Sequence, residues 1–91
     1  EQHTNYHNNK TSEAYFNAED IPVAIAEGYH KAEYTWDADD HQLSEKYYGT
    51  DGNLTECSEG YASFLREYDP NGNLVREVYY DANDRITDVK T

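Results

Sequence analysis

Asp69, Asn71, Asn73 and Glu77 place side-chain oxygens at the first, third, fifth and ninth positions of one short stretch, an alternation with which a loop can wrap calcium. Asp37, Asp39 and Glu45 repeat that spacing 32 residues earlier, with His41 in the fifth place. A full calcium loop of the helix–loop–helix kind also wants glycine at its sixth position and glutamate at its twelfth, and neither stretch supplies them. The same oxygens have a plainer use. Asp and Asn at turns hydrogen-bond their own backbone two residues on, with no metal needed. Calcium is therefore the one cation these residues bring into question.

The remaining reactive side chains point to less. His3 and His7 have the i, i+4 spacing that brings two imidazoles to zinc on a helix, but the stretch HTNYH carries no helical signal. His30 aligns with Ala62 and His41 with Asn73, so neither position demands imidazole. Cys57 stands where the chain has Ile25 and Val89 at 32-residue offsets, which assigns it a small buried apolar role rather than that of a nucleophile. One cysteine makes no internal disulfide and leaves the compartment open. Carboxylate pairs for glycoside hydrolysis can be drawn anywhere among nineteen Asp and Glu, yet no constellation is marked. A chain this short has little material for a shielded pocket, so neither enzymatic activity nor an organic cofactor is expected.

Aromatic residues carry the stronger binding signal. Tyr15, Tyr47 and Tyr79 are expected to line one face of a sheet and Phe16, Tyr48 and Tyr80 the other, with Trp36 and Tyr68 a second recurring pair. At least one of these rows must be core packing. A second row left open, beside acids, would form a platform for sugar rings or a protein partner.

The elements that position these groups are legible from self-similarity. Residues 28–59 lie without a gap over residues 60–91, with identities at Gly28/Gly60, Tyr29/Tyr61, Asp37/Asp69, Glu45/Glu77, Tyr47/Tyr79, Tyr48/Tyr80 and Thr55/Thr87. Glu13, Tyr15 and Phe16 continue the register upstream. The reading is one domain with repeats at 28–59 and 60–91, a partial repeat at 13–27, and a poorly matching segment at 1–12 that is expected to fray. Within LVREVYY, Leu74, Arg76, Val78 and Tyr80 alternate with Val75, Glu77 and Tyr79, the period of a pleated strand; a sustained helical stripe is found nowhere. Asn71-Gly72 and Asp51-Gly52 suit two-residue type I′ hairpin turns. Asp39-Asp40, Asn83-Asp84 and Glu19-Asp20 lack the glycine and are expected to make longer or more strained turns. Each unit is expected to supply a strand ending in Tyr-Asp or Trp-Asp, a tight turn, a strand ending in paired aromatics, a second turn, and a return strand leading into Gly-Tyr. The expected fold is all-β: antiparallel hairpins, one 32-residue unit after another, in an open sheet or spiral-like stack.

Bulk composition narrows the partners. Seven Lys and Arg against nineteen Asp and Glu give a formal charge of −12, which repels nucleic acid and anionic membrane surfaces. No apolar run is long enough for a membrane-spanning helix. Ten tyrosines, two phenylalanines and one tryptophan are too many for a disordered acidic tail. The chain opens at Glu1 and contains no methionine, as a mature or excised polypeptide would.

The stretches GYHKAEYTWD and GYASFLREYDPNGNLVREVYYD resemble the tandem YD-type repeats, related to the Rhs class, of large secreted or surface proteins of bacteria. The resemblance spans residues 13–91, and departs where Asp40 and Asp84 replace the glycine usual in such repeats. It implies an all-β module in an extracellular or cell-envelope setting, acting as shell, stalk or binding surface, and it carries over no catalytic residue. The expected function is a non-enzymatic structural or adhesive repeat segment, its edge strands meeting neighbouring repeats or a second copy. The alternative is a carbohydrate- or cell-wall-binding module using the tyrosine rows.

Overall fold

The reason for the fold begins in its turns. The computed structural model describes residues 1–90, and eight of its turns share one pattern of backbone hydrogen bonds. They open at Asn5, Asn17, Ile25, Asp37, Gly49, Cys57, Asp69 and Asp81. In each, the first N–H donates to the carbonyl four residues on, and the fourth N–H donates back to the first carbonyl, as Asp69 N to Asn73 O (2.9 Å) and Gly72 N to Asp69 O (3.0 Å). Only the fourth residue has positive φ: 84° at Gly72 and 83° at Gly52, but also 66° at Asp40, 62° at Asp84, 60° at Asp20 and 65° at Asn8.

This corrects the expectation of two-residue turns with two left-handed residues. The loops have three residues, a β-turn followed by one left-handed residue, so a single position needs glycine or its nearest substitutes. Asp and Asn are those substitutes. The turns without glycine are therefore no longer than the others.

Between the turns run seven strands: β1 Gln2–Thr4, β2 Lys10–Ala14, β3 Lys31–Trp36, β4 Gln42–Tyr48, β5 Ser63–Tyr68, β6 Leu74–Tyr80 and β7 Ile86–Lys90. They form one antiparallel sheet in chain order, open at both ends, so the all-β, open-sheet expectation holds. The 17 Å short dimension against 46 and 32 Å is that of a single layer with its side chains. Among the described residues no helix is long and apolar enough to cross a membrane.

Two details differ from the sequence reading. Residues 1–12 do not fray. They form the β1–β2 hairpin, closed by Asn5, whose Oδ1 accepts from the N–H of His7 (2.9 Å) and Asn9 (3.0 Å). The return segments after β2 and β4 are also not strands; each touches the sheet through one bridge, Phe16 to Pro22 and Tyr48 to Leu54. They peel away because the next strand claims the same edge: Tyr47 donates its N–H to Ala62 O, at the foot of β5.

A single layer has no inter-sheet core, so burial is made by side chains lying over neighbouring strands. Ala32 and Ala62 are fully covered, and Tyr47, Phe64 and Val78 nearly so. Pairing of Ala32 with Tyr47, Glu45 with Phe64 and Phe64 with Tyr79 puts the large rings on one face. On the other lie Lys31, Glu33, Ser44, Lys46 and Tyr48 in the middle hairpin, and Leu65, Val78 and Tyr80 further on.

Candidate functional site

The site residues proposed from sequence fall into two groups, turn oxygens and aromatic rows. Asp37, Asp39 and His41 do come together, their ligand atoms within 4.8 Å. Those atoms already have work. Asp37 Oδ1 accepts the N–H groups of Asp39 and His41, each at 2.9 Å, and Oδ2 meets the His41 ring at 3.1 Å. Asp69 is used alike: Oδ1 accepts from Asn71 N and Asn73 N at 2.9 Å, and Oδ2 from Asn73 Nδ2 at 3.2 Å. Backbone N–H bonding, first from His41 in one case and Asn73 in the other, holds both carboxyls below their ordinary range. Glu45 turns to Gln42 Nε2 (2.7 Å) and the Tyr47 hydroxyl, and Glu77 pairs with Arg66 Nε (2.8 Å). The nine-position oxygen pattern is thus divided between turn closure and strand-face pairing. If turn closure is the role of Asp69, Asp69→Asn keeps the melting temperature, as Asn5 and Asn17 imply, while Asp69→Ala lowers it by about 5 °C. Thermal melts of the two variants decide it.

His3 and His7 are not brought together on a helix. His3 lies on β1 beside Glu1, and the His7 ring reaches Asp40 Oδ1 at 2.9 Å, next to Asn9 Nδ2 at 2.7 Å. The first turn is in this way stitched to the fourth. Cys57 is half-buried rather than buried, and opens a turn.

The aromatic rows follow the alternation expected. Tyr15, Tyr47 and Tyr79 share the ring face, where two further tyrosines, Tyr29 and Tyr61, interleave with them. Centroid separations run 6.4 Å from Tyr15 to Tyr29, 4.6 Å to Tyr47, 6.0 Å to Tyr61 and 4.8 Å to Tyr79. Only Tyr29–Tyr47 is stacked; the others are tilted or edge-on. Tyr48 and Tyr80 lie on the opposite face, half-buried, and Phe16 is exposed against the His30 ring. No family model, curated protein or solved structure matches this chain. What it does must be read from this geometry.

Trp36 and Tyr68 have a role that sequence reasoning missed. Trp36 donates Nε1–H to Lys10 O (2.8 Å), and Tyr68 donates its hydroxyl to Gln42 O (2.8 Å). Trp36 and Tyr68, which precede the turn aspartates Asp37 and Asp69, each reach back to the first carbonyl of a strand in the hairpin before. The signal was present: both residues carry a polar hydrogen at the far end of a large ring, which phenylalanine lacks. Tyr68→Phe should keep the sheet but lower stability by about 1 kcal/mol, read from denaturant unfolding.

Acids at Glu13, Glu45 and Glu77 line the ring face beside these rows. Glu13 takes Lys10 Nζ at 2.8 Å, Gln2 Nε2 at 3.2 Å and the Tyr34 hydroxyl at 3.3 Å. The Lys10 bond leads in holding the Glu13 carboxyl down to about 2, against burial that pushes it up. A depressed carboxyl contributes stability above its unfolded pKa, near 4, and loses it as pH falls through the folded value. Glu13→Gln should therefore melt below the parent at neutral pH, with the gap closing as pH approaches about 2.

Proposed function

We propose that this chain is a non-enzymatic structural segment, an array of hairpins whose task is to lie against its neighbours. It is of the kind found in YD-type repeat proteins of bacterial surfaces and secretions. The ladder from Tyr15 to Tyr79 carries this reading. Tyr47, at its centre, is 5% exposed, with a tyrosine on either side. Rings that cover one another across successive hairpins have little face left for a ligand. The turn stitching of His7 to Asp40, and of Ser58 N to Glu27 O at 2.7 Å, has the same logic, since each bond joins one hairpin to another. Sequence offsets of 32 residues separate Asn5, Asp37 and Asp69, which open like turns, and this supports treating the hairpins as one recurring unit. An envelope or extracellular setting belongs to the same proposal.

A sugar-binding reading has one observation in its favour, an open cleft of about 420 Å³ at the C-terminal end of the ladder, edged by Tyr61, Tyr79, Glu59 and Asp88. Titrating the chain with a panel of bacterial cell-wall and capsular oligosaccharides, followed by intrinsic fluorescence, separates the two. The structural reading predicts no saturable change. Saturable binding abolished by Tyr79→Ala would replace it with the carbohydrate module.

A further inference from the structure

The cleft beside Tyr79 marks a place where the pattern of the sheet is broken. Along its outer edge β4 pairs with β5, as Ser44 with Leu65, Glu45 with Phe64 and Lys46 with Ser63, while the return segment after β4 keeps one bridge and leaves at the Cys57 turn. In β6 the corresponding edge is held differently. Tyr80 pairs with Ile86, as Tyr48 bridges to Leu54, but the chain then runs on as strand, with Val78 opposite Val89 and Glu77 opposite Lys90. Val89 stands 32 residues after Cys57 and 64 after Ile25, both of which open turns and leave the sheet.

The ring face shows the same substitution. Tyr47 has a tyrosine on each side, Tyr29 and Tyr61. Tyr79 has Tyr61 on one side, and on the other Lys90 Nζ 5.0 Å from its centroid. Tyr79 is left half-buried where Tyr47 is buried. All five residues of β7 are exposed, so little burial holds it in place.

We propose that the outer edge of β6 at Glu77 and Val78 is an acceptor for one more strand, and that Val89 and Lys90 are a displaceable stand-in for it. The occupant is an extended segment of the type formed by Ala62–Leu65, entered through a Gly-Tyr turn and carried by a further hairpin unit of this same kind. Its tyrosine packs on Tyr79 in place of Lys90, its small residues lie at the foot of the strand, and its backbone pairs with Glu77 and Val78 as β5 pairs with Glu45 and Lys46. This rests on the stacking reading above, and narrows it to one edge and one displaced segment.

The test fuses a second copy of residues 60–91 behind residue 91, in a Cys57→Ser background with the copied sequence otherwise unchanged. In the original chain, the Val78→Cys/Val89→Cys pair should oxidise readily, because the two positions are direct cross-strand partners. In the extended chain that disulfide should fall by about tenfold or more, and Val78→Cys should instead link to a cysteine placed at the copied Ser63 position. Cross-strand nuclear Overhauser contacts between Val78 and Val89 in the extended chain without these cysteines should vanish in parallel, which guards against misfolding of the variants. A protease-resistant appended unit with Val89 still paired to Val78 overturns this inference and leaves the stacking reading standing. An appended unit digested back to the original chain overturns both.

Discussion

Truncating Tyr47 to alanine should cost about 3–5 kcal/mol, the range for removing a large buried ring. A domain of this length has about 5–10 kcal/mol in all, so the variant should lose from about a third to all of its stability. The effect is large because Tyr47 lies over fully covered Ala32 on β3, contacts Tyr29 and Tyr61, and donates its hydroxyl to Glu45. No second layer closes over the gap left behind. Tyr47→Phe separates packing from hydrogen bonding: it retains the ring and should lose only about 1 kcal/mol. Urea unfolding of both variants supplies the comparison. Similar small losses for the two would mean that the ring is not part of a core.

Alkaline pH should open the whole sheet. Burial, followed by neighbouring acids, raises the pKa of Tyr15, Tyr29, Tyr34, Tyr47, Tyr48 and Tyr79, with Tyr15 and Tyr48 pushed up to about 12; burial also leads at Tyr61. A phenol whose folded pKa lies above its unfolded value of about 10 favours the fold in its neutral form. That contribution is complete below pH of about 10 and declines as pH climbs through the folded values. With seven such groups in one small domain, unfolding should begin just above pH of about 10 and be complete near 12. Tyrosinate absorbance and far-ultraviolet circular dichroism should then change together, in one cooperative step. Smooth ionisation of all ten tyrosines around their ordinary pKa, with the sheet intact, would contradict the ladder.

Much of this architecture could be read from the chain alone, for a physical reason. Strand alternation in LVREVYY is a two-residue period, and the pairing of Val78 with Leu65 and Tyr79 with Phe64 obeys it. The placement of Tyr15, Tyr47 and Tyr79 on one face therefore followed from spacing. Turn chemistry was less legible. Asn71-Gly72 suits both a two-residue turn and the second half of a three-residue one, and only the hydrogen bonds made by Asp69 choose between them. In the sequence the return segments look alike, because Leu54 and Ile86 have the same apolar character. What separates them is whether another strand competes for the edge, which a local pattern does not encode.

The candidate calcium residues show the same limit. Asp37 and Asp69 were found by their oxygens, but an oxygen that closes a turn and one that holds an ion occupy the same position in the chain. The functional geometry of Trp36 and Tyr68 was hidden because their partners, Lys10 O and Gln42 O, are backbone groups 26 residues away. Tyr29 and Tyr61 were visible as repeated residues, yet their insertion between Tyr15, Tyr47 and Tyr79 depends on where the Gly-Tyr turns fold back.

The claim on which all of this stands is that consecutive hairpins share one sheet. Cross-strand nuclear Overhauser contacts measure it directly. The account predicts contacts within hairpins, as between Ala32 and Tyr47, and equally between them, from Glu13 to Ala32 and from Glu45 to Phe64. Contacts confined to the hairpins themselves, with none across β2 to β3 or β4 to β5, would contradict it.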